Sequence, residues 1–159
     1  MKTFTFHLQK ILDLKEKERE QAEWAFGQSL RKKAEAEARL VELTRHREEV
    51  NRSLYQLQSQ TCSVSRLIEA NRYQRAVERA IQTQRQTVYG CEREVEERKR
   101  ILTSRMQESK LWEQLRERAK ERFELAQKQL EQKELDEIGT SRYVLQKAGR
   151  TSPAAERSL

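Results

Sequence analysis

The sequence has little of what compact folds and membrane proteins need. Its 159 residues include one proline and four glycines, and aromatic residues make up 6%. Folds built from sheets need many tight turns, which so few turn residues cannot supply. Only 35% of the residues are apolar, too few to bury a large core. No apolar run approaches the roughly 20 residues that span a bilayer, and no signal peptide opens the sequence. We therefore expect a soluble, intracellular, elongated helical protein without a transmembrane segment.

Patterns that bind metals or catalyse reactions are also missing. Cys62 and Cys91 lie far apart, without CxxC spacing, and His7 and His46 belong to no HExxH motif. The four glycines are never spaced as in a phosphate-binding loop. We therefore expect no catalytic residues, no cofactor and no metal site, and we predict that the protein is not an enzyme.

Strong helix formers and charges make up the rest of the composition. Ala, Glu, Lys, Leu and Arg account for 87 of 159 residues, and 37% of the chain is charged. This composition is typical of long helices and coiled coils. The net charge of +7 would suit a nucleic-acid binder if it were segregated on one face. Because Lys, Arg and Glu alternate along the chain, as in residues 14–20, solvated helix faces are the better interpretation.

Apolar residues follow the 3.5-residue repeat of coiled coils in two registers. One register runs from residue 8 to residue 68 and the other from residue 77 to residue 130. We call the a and d positions of these registers the seam. Its apolar members in the first half are Leu8, Leu12, Ala22, Phe26, Ala36, Leu40, Leu43, Val50, Leu54, Leu57, Val64 and Ile68. Those in the second half are Val77, Ile81, Val88, Cys91, Val95, Leu102, Trp112, Ala119, Phe123, Ala126 and Leu130.

A cluster of small polar residues at 59–65 separates the two registers and weakens helix propensity. The sequence therefore predicts an all-α fold, in which two long helices form an antiparallel coiled-coil hairpin over residues 1–147. Helix one covers about 4–60, the turn lies within 58–71 with Ser65 or Asn71 as a helix cap, and helix two covers about 66–146. With an apex near residue 65, residue numbers that face each other should add to about 130. Residues 148–159 would form a short disordered tail, and one continuous helix in a parallel dimer is the alternative architecture.

Two stretches of the sequence resemble a known family. The opening Phe4-Thr5-Phe6-His7-Leu8-Gln9-Lys10-Ile11-Leu12-Asp13-Leu14 resembles the start of FliJ, the flagellar export protein. The segment Glu131-Gln132-Lys133-Glu134-Leu135-Asp136-Glu137-Ile138 resembles the C-terminal signature of that family. Both stretches have the order and separation seen in FliJ proteins, and the chain has a similar length.

The resemblance implies a component of the flagellar type III export apparatus, and hence a part in flagellum biogenesis and motility. FliJ proteins are antiparallel coiled coils similar to the central stalk of rotary ATPases. The implied partners are the hexameric export ATPase FliI, its regulator FliH, the export gate protein FlhA and the export chaperones. The protein would then be cytoplasmic and reach the inner face of the cell membrane through these partners. The alternatives are a central stalk from another type III secretion or rotary ATPase system, or a basic coiled coil that binds nucleic acid.

Two contact surfaces follow as expectations. The resemblance places an export-gate contact at Leu43, Tyr73, Val77 and Ala80, of which Tyr73 lies off the seam and the others could equally be hairpin core. Apolar residues outside the seam also gather near both ends of the chain, where a hairpin cannot bury them. We predict that these residues contact the ATPase ring: Phe4, Phe6, Ile11, Leu14, Leu135 and Ile138. In the alternative, Phe4 and Phe6 fold back over Leu135 and Ile138.

Overall fold

The computed structural model describes residues 2–150, which contain two long helices and no strand. Helix α1 is Gln9–Ser59, with 51 residues, and helix α2 is Val64–Arg150, with 87 residues. The helices pack against each other, which confirms the predicted all-α fold. No helix within residues 2–150 is long and apolar enough to cross a membrane.

The chain divides into two units that both helices pass through. One unit is Asp13–Lys110, and the other joins Met1–Leu12 to Leu111–Leu159. Of the second unit, the structure describes residues 2–12 and 111–150. The coiled-coil pairing is best defined by the side-chain bonds in Asp13–Lys110, whereas the second unit contains the start of α1 and the C-terminal part of α2.

Helix α1 begins five residues later than predicted from the sequence. The Gln9 amide donates to the Phe6 carbonyl at 3.1 Å, which closes a tight turn before the helix. Within this unit Phe6 is 8% exposed, and the Phe4 and Phe123 rings lie 5.6 Å apart. Residues 4–8 therefore leave the helical path because their aromatic side chains are used for packing.

Residues 60–63 connect the two helices. Ser63 caps α2, since its side-chain oxygen accepts a bond from the Arg66 amide at 3.4 Å and its carbonyl accepts one from the Leu67 amide at 3.3 Å. The caps expected at Ser65 and Asn71 are wrong. Both residues lie inside α2, and the Asn71 side chain donates to the Leu67 carbonyl at 2.9 Å.

Helix α2 continues through Gly139 and reaches Arg150. The sequence predicts that helix two ends near residue 146, a few residues before its observed end. One glycine inside a helix costs only about 1 kcal/mol relative to alanine, so it does not stop a helix with strong helix formers on both sides. Of the expected tail, residues 148–150 are helical, and residues 151–159 lie outside the described residues.

The first register matches the observed burial closely. Leu12, Ala22, Ala36 and Leu54 are buried, and every other seam position from Leu8 to Leu57 is buried or half-buried. The register does not continue to residue 68 as predicted. Val64 is 73% exposed and Ile68 is 48% exposed, because the connection at 60–63 ends the pairing.

The second register holds over most of its predicted range. Val77, Ile81 and Cys91 are buried, and the apolar seam positions from Val88 to Phe123 are at least half-buried. The prediction fails at the end of the range, where Leu130 is 51% exposed and Ala126 is exposed too. Every residue from 128 to 150 is exposed, so this part of α2 adds nothing to the buried core of the described residues.

Side-chain bonds between the helices fix their antiparallel pairing within Asp13–Lys110. Lys15 Nζ binds Glu108 at 3.0 Å, Lys32 Nζ binds Glu94 at 2.9 Å, and Gln74 Nε2 donates to Asn51 at 3.1 Å. The numbers of such facing residues add to about 125 rather than the expected 130. The offset arises because the chain reverses at 60–63, a few residues before the expected apex.

Candidate partner-binding surfaces

Exposed apolar side chains are the candidate functional surfaces of the described residues. No group of His, Cys, Asp and Glu within residues 2–150 could hold a metal ion. By contrast, many large apolar side chains are exposed along both helices. Contiguous exposed apolar surface of this kind is typical of a protein that binds other proteins.

The structure places the residues of the predicted ring contact in different environments. Leu135 is 63% exposed, Ile138 is 50% exposed and Leu14 is 54% exposed. Ile11 is at the boundary, at 37%. Phe4 is half-buried and Phe6 is buried, so these two side chains support the start of α1 and offer little surface to a partner.

The alternative in which Phe4 and Phe6 cover Leu135 and Ile138 is not what the structure shows. The Phe4 ring contacts Phe123 instead, at a centroid distance of 5.6 Å. Leu135 and Ile138 keep at least half of their surface open. They are therefore available to a partner.

A shallow groove of about 470 Å³ runs along this part of α2. Ile138 and Leu145 stand seven residues apart on one helix face, and Leu145 is 71% exposed. The sequence reasoning missed Leu145, although its spacing from Ile138 was a usable signal. The complete lining of the groove is Glu134, Glu137, Ile138, Ser141, Arg142 and Leu145.

The residues of the predicted gate contact also differ in exposure. Tyr73 is 53% exposed and Ala80 is exposed, whereas Leu43 is half-buried. Val77 is 6% exposed, so it belongs to the hairpin core and cannot itself present a contact surface.

Tyr73 is held in place by a histidine on the opposite helix. The Tyr73 hydroxyl and His46 Nε2 are 2.7 Å apart, and the two rings meet edge to face at 5.8 Å. Together with Val50, Leu54 and Ala70 they line a groove of about 310 Å³. Sequence reasoning did not single out His46, because its pairing depends on which residues of the two helices face each other.

In each inter-helix ion pair between a lysine and a glutamate, the pKa of both side chains is shifted so that the charged form is favoured over the neutral one. A hydrogen bond from Lys32 lowers the pKa of Glu94, and one from Lys15 lowers the pKa of Glu108. Hydrogen bonds to the same carboxylates raise the pKa of both lysines. These pairs therefore remain charged at neutral pH and contribute to the register of the two helices.

Comparison with known proteins agrees with this architecture. A model of the family described as "Flagellar FliJ protein" matches residues 4–148. A solved structure described as a YscO homolog, CT670 from Chlamydia trachomatis, has the same fold, with a TM-score of 0.68 and 21% sequence identity. The alignment covers 92% of this chain and 99% of that one. No curated protein sequence matches the chain. Because the family match spans nearly the whole hairpin, the chain belongs to the FliJ family of flagellar proteins and is a component of a type III export system.

Proposed function

We propose that the protein is a non-enzymatic coupling component of flagellar type III export. It links the hexameric ATPase FliI, with its regulator FliH, to the membrane export gate FlhA, and it assists the cycling of export chaperones. It acts in the cytoplasm and reaches the inner face of the cell membrane through these partners. The chemistry of ATP hydrolysis stays in the ring, and this chain transmits its effect through contact surfaces.

The exposed apolar face near the C-terminal end of α2 is the observation that carries this proposal. Leu135 and Ile138 are at least half exposed on a helix segment in which no residue is buried. Full burial of one such side chain stabilises a complex by about 1.5–3 kcal/mol. Since roughly half of each surface is still open, the pair would contribute about 2–3 kcal/mol on entering an apolar channel.

Ring binding would use the helix as a shaft. A helix with apolar residues at spacings of three, four and seven presents a continuous stripe to a surrounding collar. Glu134 lies beside this stripe, and Arg142 lies within it, between Ile138 and Leu145. These charged side chains would fix the orientation of the stripe by contacts with polar groups of the ring. The stripe would stabilise the assembled hexamer, because one shaft can contact several subunits at once.

The test is to replace Leu135 and Ile138 together with serine and to measure ATP hydrolysis by FliI. We expect the variant to lose most of its stimulation of hydrolysis at protein concentrations where the unaltered chain saturates it. Loss of about 2–3 kcal/mol of contact energy would weaken binding by roughly 30- to 150-fold. Since both side chains are exposed, the hairpin should keep its helicity and melting temperature.

A matched control is the double variant Val41→Ser/Tyr55→Ser. These residues are 68% and 74% exposed on α1 and belong to neither predicted surface. The control should stimulate hydrolysis like the unaltered chain. Full stimulation by the Leu135→Ser/Ile138→Ser variant would show that the ring does not bind this face.

Another type III secretion system is the second candidate, favoured by the structural likeness to the YscO homolog. The family match to a flagellar protein supports the flagellar assignment. Restoration of swimming in a bacterium that lacks its own FliJ protein would distinguish the two systems. A chain that restores secretion of virulence-type substrates but not swimming would favour the second candidate.

A further inference from the structure

The row of ion pairs along one side of the Asp13–Lys110 hairpin has a gap. On one side of the gap, Lys15 binds Glu108 at 3.0 Å and Arg105 binds Glu18 at 3.2 Å. On the other side, Lys32 binds Glu94 at 2.9 Å. Between these pairs the same row is occupied by Ala25 and Ile101, which line a common groove. Neither can form an ion pair, and the small alanine leaves space unfilled.

This gap opens into a surface groove centred on an exposed tryptophan. Two adjoining depressions, of about 410 and 230 Å³, share Trp24, Ala25 and Arg98 in their linings. We call them together the Trp24 groove. Trp24 is 69% exposed and Ile101 is 37% exposed. Exposed tryptophan is costly in water and is enriched at the centres of protein interfaces.

Arg98 is a basic lining residue of the Trp24 groove whose guanidinium is not bound to a carboxylate, although its charge helps to lower the pKa of the nearby Glu94 carboxyl. Glu18 is bound by Arg105, and Glu94 is bound by Lys32. Arg98 forms no ion pair or hydrogen bond within residues 2–150, and it is exposed. A guanidinium presents a planar fork that binds a carboxylate through two hydrogen bonds. The groove therefore combines apolar side chains with one guanidinium that forms no ion pair or hydrogen bond among the described residues.

The shape of the groove favours a helix over an extended strand as its occupant. Both walls are helices, whose backbone groups are bonded internally, so they offer no edge for strand addition. The groove follows α1 from Glu18 to Lys32, which is about 21 Å at 1.5 Å per residue. This length accommodates about four turns of a third helix packed between the first two.

We propose that the Trp24 groove binds an acidic amphipathic helix of a partner protein. Leucine-like side chains of that helix pack on Trp24 and Ile101, and a carboxylate one turn away binds Arg98. This surface is separate from the predicted contacts at Tyr73 and at Leu135, so its occupation does not depend on the proposed ring contact.

The experiment uses a defined probe, a labelled synthetic amphipathic helix with leucines at spacings of three, four and seven and glutamates beside them. Companion peptides carry lysine or glutamine in place of glutamate, and a single-stranded oligothymidine tests for nucleic acid. The sequence has two tryptophans, so Trp24 is the one that remains in the full chain with Trp112→Phe. Its emission therefore reports burial directly, while fluorescence anisotropy of the peptide gives the affinity for variants with both tryptophans.

We expect the glutamate peptide to shift Trp24 emission to the blue and to bind at least about tenfold tighter than the lysine peptide. Trp24→Ala should weaken its binding by about tenfold or more. Arg98→Glu should reverse the preference, so that the lysine peptide binds better. The matched control is Tyr89→Ala/Arg93→Glu, which removes another exposed aromatic residue and its neighbouring arginine, 6.0 Å apart, and should change nothing.

The proposal is overturned if the peptides bind with equal affinity, if none of them binds, or if Trp24→Ala and Arg98→Glu leave binding unchanged. Oligothymidine binding that buries Trp24 and displaces the glutamate peptide would assign the groove to nucleic acid instead. Circular dichroism of each variant checks that the hairpin is intact. Trp24, Tyr89, Arg93 and Arg98 are exposed, and the half-buried Trp112 is replaced by another aromatic residue.

Discussion

Ser109 provides the sharpest test of how the seam is stabilised. It is fully buried at an a position, and its hydroxyl oxygen has no hydrogen-bond partner among the described residues. A buried hydroxyl without a partner costs about 1–3 kcal/mol. Alanine removes that cost and has a higher helix propensity by about 0.5 kcal/mol. Allowing for the small space left by the oxygen, we expect Ser109→Ala to raise the free energy of unfolding by about 1–2 kcal/mol.

Ser29 is a matched control in the same seam. It is 3% exposed, but its hydroxyl donates to the Phe26 carbonyl at 2.7 Å. Ser29→Ala loses this bond, worth about 0.5–1.5 kcal/mol, and gains the same helix propensity. The two effects partly cancel, so the expected change is a loss of about 0–1 kcal/mol.

Urea and thermal unfolding followed by circular dichroism measure both variants. For a chain of this length, 1 kcal/mol moves the melting temperature by about 2–4 °C, so Ser109→Ala should melt about 2–8 °C higher. A lower melting temperature for Ser109→Ala would refute the reasoning, because it would mean that the hydroxyl has a stabilising partner. A larger gain from Ser29→Ala than from Ser109→Ala would refute it too.

Two further predictions concern charge and the proposed gate contact. The pKa of Glu94 is held below its ordinary value of 4.5 by Lys32, so its contribution to stability is complete above that value and is lost as the pH falls through the lowered pKa. The Lys32→Met/Glu94→Gln variant should therefore lose less thermal stability than the unaltered chain when the pH is lowered from 6 to about 3. An equal decrease in melting temperature for both proteins would contradict this. Tyr73→Ala should weaken binding to the FlhA cytoplasmic domain by about tenfold, whereas Tyr73→Phe keeps the ring and should bind almost normally. Unchanged binding by Tyr73→Ala would remove this residue from the gate contact.

The sequence was sufficient to predict the fold and most of the seam. Burial of Leu12, Ala22 and Ile81 follows from a periodic pattern that a helix imposes on its own residues. Such a pattern depends only on local spacing, so it can be identified without knowing the pairing of the helices. The helix boundaries were harder to predict from the sequence. Ser63 and Ser65 are equally good caps by residue type, and only the tertiary structure selects Ser63.

The surface sites could not be predicted from the spacing of residues along a single helix. The Tyr73–His46 bond and the Trp24 groove both depend on which residues of α1 and α2 face each other. An error of a few residues in the apex shifts every such pairing by twice as much, which is why the expected sum of 130 misplaced the contacts. Leu135 and Ile138 could be identified as exposed, because their positions lie off the seam in any pairing.

The exposure of every residue from 128 to 150 has a consequence for the thermodynamics of partner recognition. A helix segment with every side chain exposed gains little free energy from packing, so local propensity supplies most of its stability. A partner that binds residues 128–150 would therefore also supply the conformational entropy lost when frayed turns become helical. Affinity for that partner becomes sensitive to residues that need not contact it. Gly139 is such a residue, since a Cβ at this position would meet no atom within 4 Å. Its low helix propensity reduces the free energy of binding by the amount needed to keep the segment helical.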